Sequence, residues 1–247
     1  MLDFIGTVTL TIVIILNINV FINGIAVTSA ARLAIVIVAG AWVGLATAVA
    51  FAGLFANAGA PFPWVGAFVV IPLLVVGAAA LLFPAVRSVL LRAPLPTLVG
   101  LNIARVLGAF FILLAFSGRL GGPFPQSAGW GDVITGLFAI PVMGLAALQT
   151  ALRDRAIWIW NAFGTLDLLA AIALGVMSAN GSPLQLIHAG AGSAAVQLLP
   201  WALIPSVLVP FYLITHGIIF AQLRARSANA VHAADQTAHR AWALHQR

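Results

Sequence analysis

The sequence predicts an all-α, polytopic transmembrane helix bundle of seven spans. Three observations carry that prediction. Of 247 residues, 63% are hydrophobic and 6% are charged, against about 45–50% apolar and about 25% charged in a soluble domain. Mean hydropathy is +1.14, so too little polar surface exists to coat a soluble fold. Apolar runs recur at the length of about 20 residues that a hydrocarbon core about 30 Å thick demands of a helix.

Span one is read at 4–26. Its Thr7-Val8-Thr9-Leu10-Thr11 run alternates like a strand, but the other six spans are helical in length, so it reads as a β-branched-rich helix. Asp3 precedes the run with no Arg, and the run is too long for the apolar core of a signal peptide, so it reads as a true span. Asn17, Asn19 and Asn23 lie within it; the last two share a face and can bond neighbouring helices. Span two, 33–56, carries Gly40 and Gly44 at small-xxx-small spacing, a sign of tight packing that is compatible with a homo-oligomer.

Spans three, 65–84, and four, 96–118, follow, then span five at 130–150, with Asp132 expected as its N-terminal cap. Spans six, 157–178, and seven, 201–222, complete the transmembrane domain of residues 1–222, and 223–247 form a polar, Ala-rich cytoplasmic tail. The Gly/Ser-rich connection between spans six and seven is expected to hold a short interfacial or re-entrant helix around Leu184–His188. Trp64, Trp130 and Trp201 stand at span mouths, where aromatic rings favour the headgroup level.

Charge placement sets the orientation. Arg32, Arg87, Arg92, Arg153, Arg155, Arg224, Arg226, Arg240 and Arg247 fall on one side, and Arg119 on the other. The positive-inside rule then puts the N-terminus outside and the C-terminus inside, as for a multi-pass protein of a bacterial inner membrane. A repeat is suggested by Ala50-Phe51-Ala52-Gly53 before Pro61-Phe62-Pro63 and Ala115-Phe116-Ser117-Gly118 before Pro123-Phe124-Pro125. Ile71-Pro72, Ile140-Pro141 and Ile204-Pro205 then recur in spans three, five and seven. One helix plus three parallel helical hairpins would produce that pattern.

Several function classes are excluded. No Lys is present for a retinal Schiff base, and no Cys for disulfides, thiol catalysis or iron–sulfur ligation. The net charge of +6 sits at span ends and implies the bilayer as partner, not nucleic acid. His216 lies inside a span and His188 in a connection, so paired-His haem ligation is not expected. His232, Asp235 and His239 share a face of the tail but make too weak a set for a metal; no cofactor or metal is expected. Gly129-Trp130-Gly131-Asp132 matches the GxGD pattern of intramembrane aspartyl proteases. That family needs a second Asp at the same depth, preceded by Tyr and upstream; Asp167 is downstream, follows Leu166, and is expected about 13 Å away along the membrane normal.

The remaining chemistry lies at mid-membrane. An ionisable side chain there costs about 2.5–3.5 kcal/mol on insertion scales and is rarely idle. At 1.5 Å per residue, Arg105 comes out about 13 Å deep, Asp167 about 15 Å, Tyr212 about 16 Å and His216 about 10 Å. Asn102 shares a face with Arg105, and Asn161 lies on the helix of Asp167 but roughly 120° around it. A site of Arg105, Asp167, Asn102, Asn161, Tyr212 and His216 between spans four, six and seven is therefore expected.

The tract Leu199-Pro200-Trp201-Ala202-Leu203-Ile204-Pro205, with Val209-Pro210 and His216, resembles bacterial polytopic membrane proteins of no assigned function. The resemblance implies a membrane protein and no activity. The expectation from the residues is a small-solute permease or channel-like protein, Arg105 offering charge to a polar or anionic solute. The alternative is a non-transporting subunit or sensor in which Arg105–Asp167 is a structural lock. A membrane enzyme acting on lipid or quinone ranks below both, because no nucleophile motif supports it.

Overall fold

Every strongly apolar run becomes helix, because a membrane leaves backbone polar groups no partner but one another. The computed structural model describes residues 1–25, 27–57, 63–148 and 151–245; the side chains of Ala151 and of residues beyond Ala228, including His232, Asp235 and His239, lie outside that description. Helix α1 spans Leu2–Gly24, its β-branched run helical and Thr7 Oγ1 donating back to Asp3 O at 2.8 Å. Helix α2 spans Ser29–Phe51 and is capped by Thr28, whose Oγ1 accepts from the Ala31 N–H at 3.3 Å. Helix α3 spans Trp64–Leu82 with Pro72 inside it.

A short amphipathic helix, α4 at Pro84–Arg92, then carries Arg87 and Arg92 along the surface. Pro84 starts it, since a proline cannot continue α3 but suits a first turn. Span four is composite: α5 at Leu95–Leu101, a 3₁₀ stretch at Asn102–Gly108, and α6 at Ala109–Phe116. Helix α7 spans Phe124–Ala147, α8 spans Ala151–Met177, and a π-helical turn at Ile204–Leu208 leads into α9 at Val209–His245. Among the described residues, seven helical stretches are long and apolar enough to cross a membrane. This is an all-α bundle and a multi-pass membrane protein.

The boundaries agree with the sequence reading to within about five residues except at the starts of spans five and six, where α8 begins at Ala151 instead of 157. The helix of span five begins at Phe124, not 130, because Pro123-Phe124-Pro125 forms the first turn instead of a loop. That moves Asp132 from the expected helix end into the helix body. The connection to span seven holds no helix around Leu184–His188. Its polar side chains bind locally instead: Gln185 Nε2 donates to Asn180 Oδ1 at 2.9 Å, Gln185 Oε1 accepts from the Gly181 N–H at 2.9 Å, and Ser193 Oγ donates to Gly175 O at 2.7 Å. Such bonds compete with helix formation. The Ile-Pro steps do not share a register: Pro72 falls in the first half of α3, Pro141 in the second half of α7, and Pro205 opens the π-helical turn.

Trp201 is no interfacial anchor. It is fully buried, its Nε1 donates to Asp3 Oδ1 at 2.7 Å, and its ring lies 5.1 Å from that of Phe110. The same Asp3 oxygen accepts from Arg119 Nη1 at 2.6 Å, tying the N-terminus to the turn after span four. Trp130 is 55% exposed, as a belt residue should be.

Span four packs along α7, α7 along α8, and α9 against α3, α8 and α5. Helix α2 is peripheral, and no heavy atom lies near Gly40 or Gly44 where a neighbour would pack. Two apolar layers result. One, at the end bearing Met1, includes Leu10, Phe111, Phe124, Leu168 and Trp201. The other, toward the opposite end, includes Leu98, Ala139, Val142, Ile157 and Ile219. On spans four to seven, the buried polar residues Asn102, Arg105, Thr135, Asn161, Asp167, Thr215 and His216 lie between the two layers.

Candidate functional site

Arg105 stands at the middle of span four, inside the 3₁₀ stretch. A mid-helix 3₁₀ segment marks a hinge or a strained sequence; here it delivers a guanidinium between α7 and α8. The side chain is 0% exposed and is held from three helices. Nε donates to Asp132 Oδ1 at 2.6 Å, Nη2 to Asp167 Oδ2 at 2.5 Å, and Nη1 to Gly164 O at 3.1 Å. Nη1 also lies 3.0 Å from His216 Nε2. An arginine only donates, so that imidazole nitrogen accepts and Nδ1 carries the ring proton. Nδ1 then donates to Asn161 Oδ1 at 2.7 Å, while Asn161 Nδ2 donates to the His216 carbonyl at 3.1 Å. The chain of bonds thus assigns the tautomer.

Two glycines make the convergence sterically possible. A Cβ at Gly131 would collide with the Asp167 carboxylate. One at Gly164 would crowd His216 Cε1, Thr135 Cγ2 and Arg105 Nη1 at 2.8, 2.8 and 3.0 Å. The ring of Tyr212 lies 5.9 Å from Arg105 Cζ, within cation–π range, and its hydroxyl accepts from Asn17 Nδ2 at 3.0 Å. Trp160 flanks the His216 ring at 5.4 Å and donates its Nε1 to Thr135 O at 3.0 Å.

Of the six expected residues, five meet. Arg105, Asp167 and His216 bond directly, Asn161 joins through His216, and Tyr212 covers the guanidinium. The 120° between Asn161 and Asp167 is accommodated because they engage different partners. Asn102 bonds none of the others: its Nδ2 turns back to Leu98 O at 3.0 Å and its Oδ1 has no partner. Local back-bonding wins over the shared face.

Asp132 corrects the sequence reading. It neither caps a helix nor lies a membrane-half away from Asp167; both carboxylates sit on one guanidinium. Both α7 and α8 start six residues earlier than expected, each shifting its aspartate by about 9 Å relative to the helix end, which together more than cover the expected gap. The order of the GxGD motif and the residue before Asp167 still depart from the protease pattern.

A cavity of about 370 Å³ leads to this cluster from the end bearing Met1. Its walls are mostly apolar, with Asn57, Ser182, Ser193 and Gln197 also on the lining. Trp64, Val65 and Val69 of α3 face Leu168, Ala171 and Ile172 of α8 across it. Helix α3 packs against the π-helical turn and α9, α8 packs against α9, and α3 and α8 share little or no direct packing, so the cavity is a crevice between them. Asp132 lines its inner end. A second space of about 20 Å³, enough for about one water, continues past Asp132 to Arg105 and Tyr212. The exposures decide which charge faces the crevice: Asp132 is 13% exposed and Asp167 is 7%, with Arg105 fully enclosed. Toward the opposite end, the second apolar layer closes the bundle. Among the described residues, no group of three His, Cys, Asp or Glu could hold a metal ion.

Residues 62–224 match DUF8737, a domain of unknown function. The chain belongs to that family. The matched region runs from just before α3 to Arg224, and so contains Arg105, Asp132, Gly164, Asp167 and His216 and all the walls named above, while α1 and α2 fall outside it. No curated protein and no solved structure matches the chain.

Proposed function

We propose that this DUF8737 member is a small-molecule permease of the bacterial inner membrane, with its crevice open toward the outside and its cytoplasmic half closed. The observation that carries the reading is the apolar crevice between α3 and α8 ending on the carboxylate of Asp132. A pocket of this size and lining suits a small ligand with an apolar body and one polar contact. The sequence-based idea of Arg105 as receptor for an anionic solute is replaced, because four of its five N–H donors are directed to protein acceptors and two of those acceptors are carboxylates. The 3₁₀ stretch of span four and the π-helical turn of span seven flank the site and supply helix segments able to change register.

A second reading, a non-transporting sensor, is favoured by one observation: the cluster is nearly dry and its guanidinium is locked by two carboxylates. The absence of native Cys makes the test direct. Ala139 is fully buried in the cytoplasmic-side apolar layer. In inside-out vesicles, a permease that alternates access exposes Ala139→Cys to a membrane-impermeant maleimide over time. A sensor with a fixed lock leaves that thiol unmodified, and that result overturns the permease reading.

A further inference from the structure

Two carboxylates meet one guanidinium at the inner end of the crevice. Nε and Nη2 form a single edge of the arginine, so Asp132 and Asp167 stand side by side along it. The groups facing them bring no second positive charge. From span four comes Arg105 alone. Span five contributes Thr135, with its Oγ1 unpartnered, and span six the Gly164 carbonyl and Asn161. From span seven come the Tyr212 ring and His216, whose Nε2 accepts and which is therefore neutral; from span one comes Asn17, occupied with Tyr212. With both carboxylates ionised the cluster carries a formal charge of −1. An uncompensated charge inside a bundle is costly, so one more positive charge completes the site. It is either a proton held by the carboxylate pair or a cation arriving through the crevice. Asp132 is the charged side chain on the crevice lining and therefore the group that would engage an arriving cation.

We infer that the crevice takes a monocation with an apolar body, whose charged head replaces one proton held by the Asp132–Asp167 pair. The inference rests on reading the crevice as a ligand site. The exchange balances: one cation enters, one proton leaves to the water of the crevice, and the charge of the cluster is unchanged. Binding then tightens about tenfold for each pH unit while the proton is still bound to the empty site, the slope of one exchanged proton.

The test uses the full chain in nanodiscs, with empty discs subtracted. The probes are benzyltrimethylammonium and neopentylbenzene, its uncharged carbon analogue of the same shape. Titration calorimetry in two buffers of different ionisation enthalpy counts the protons released. The expected result is saturable cation binding, one proton released per cation, and an affinity for the neutral analogue at least tenfold weaker. Asp132→Asn leaves one carboxylate per guanidinium and so keeps the fold's charge balance. It should abolish proton release and cut cation affinity at least tenfold, while neopentylbenzene binding stays unchanged. Equal binding of both probes, or cation binding without proton release, overturns the inference and leaves the crevice as a site for neutral molecules. Binding of neither probe overturns the ligand-site reading itself. The proton count on the unmodified chain decides the matter even where the variant fails to fold.

Discussion

Replacing Arg105 by Gln leaves two carboxylates facing each other beneath an apolar crevice. The guanidinium makes charge-assisted bonds to Asp132 at 2.6 Å and Asp167 at 2.5 Å, and bonds to charged groups contribute about 1.5–3 kcal/mol each. Two of them amount to about 3–6 kcal/mol, in line with the about 3–5 kcal/mol lost when a buried pair is broken from one side. At about 2–4 °C per kcal/mol for a chain of this size, Tm should fall by about 6–24 °C. Asp132→Asn or Asp167→Asn removes one such bond and leaves a balanced pair, so each should cost about half as much. Protons can replace the missing cation in Arg105→Gln, letting the two carboxyls bond each other. The defect should therefore be largest at high pH and shrink as pH falls. Adding Asp132→Asn and Asp167→Asn to Arg105→Gln removes every charge and should recover part of the loss. The assay is thermal unfolding in one detergent, followed by tryptophan fluorescence. The reasoning is refuted if Arg105→Gln is no worse than either Asp→Asn variant, or if the triple variant is no better than Arg105→Gln.

Three further outcomes rest on the site geometry and one on the placement of the arginines. Gly131→Ala drives a methyl into the Asp167 carboxylate and should lower stability by about 1–3 kcal/mol, whereas Gly144→Ala, with no heavy atom within 4 Å, should be neutral or stabilising by up to about 1 kcal/mol; parallel melts of the two compare them. Tyr212→Phe keeps the ring over Arg105 but strands Asn17 Nδ2, for a loss of about 1 kcal/mol in the same melt. His216→Phe removes the acceptor of Nη1 and the donor to Asn161 and should cost about 2–4 kcal/mol, since it leaves buried polar groups unpaired; a melt no lower than that of Tyr212→Phe would contradict it. A reporter fused after Arg247 should be active only in its cytoplasmic form, and external activity would reverse the orientation drawn from the Arg placement.

The fold was largely legible because span length and apolarity are one-dimensional properties that a bilayer enforces directly. Arg105, Asp167 and His216 were legible for the same reason: a titratable residue in an apolar run stands out. Asp132 was not, since Pro123 and Pro125 look like loop until their place in a first helical turn is known, and a six-residue shift separates a cap from a buried ligand. Asn102 was over-read, because shared spacing does not say whether a side chain reaches outward or bonds its own turn. The crevice was invisible, since it depends on α3 and α8 failing to pack against each other, which residue type alone does not report. The glycines at 131 and 164 carried a usable signal, each lying next to or within one turn of a charged residue.

The central claim is that Asp132 is reached through the crevice from the end bearing Met1, and a single thiol tests it most directly. In the otherwise Cys-free chain, Asp132→Cys keeps one carboxylate on Arg105, and Leu184→Cys at the crevice mouth, where Leu184 is 62% exposed, serves as the accessible control. A small methanethiosulfonate applied to intact cells should modify both thiols. Modification at 184 with none at 132 would contradict the account.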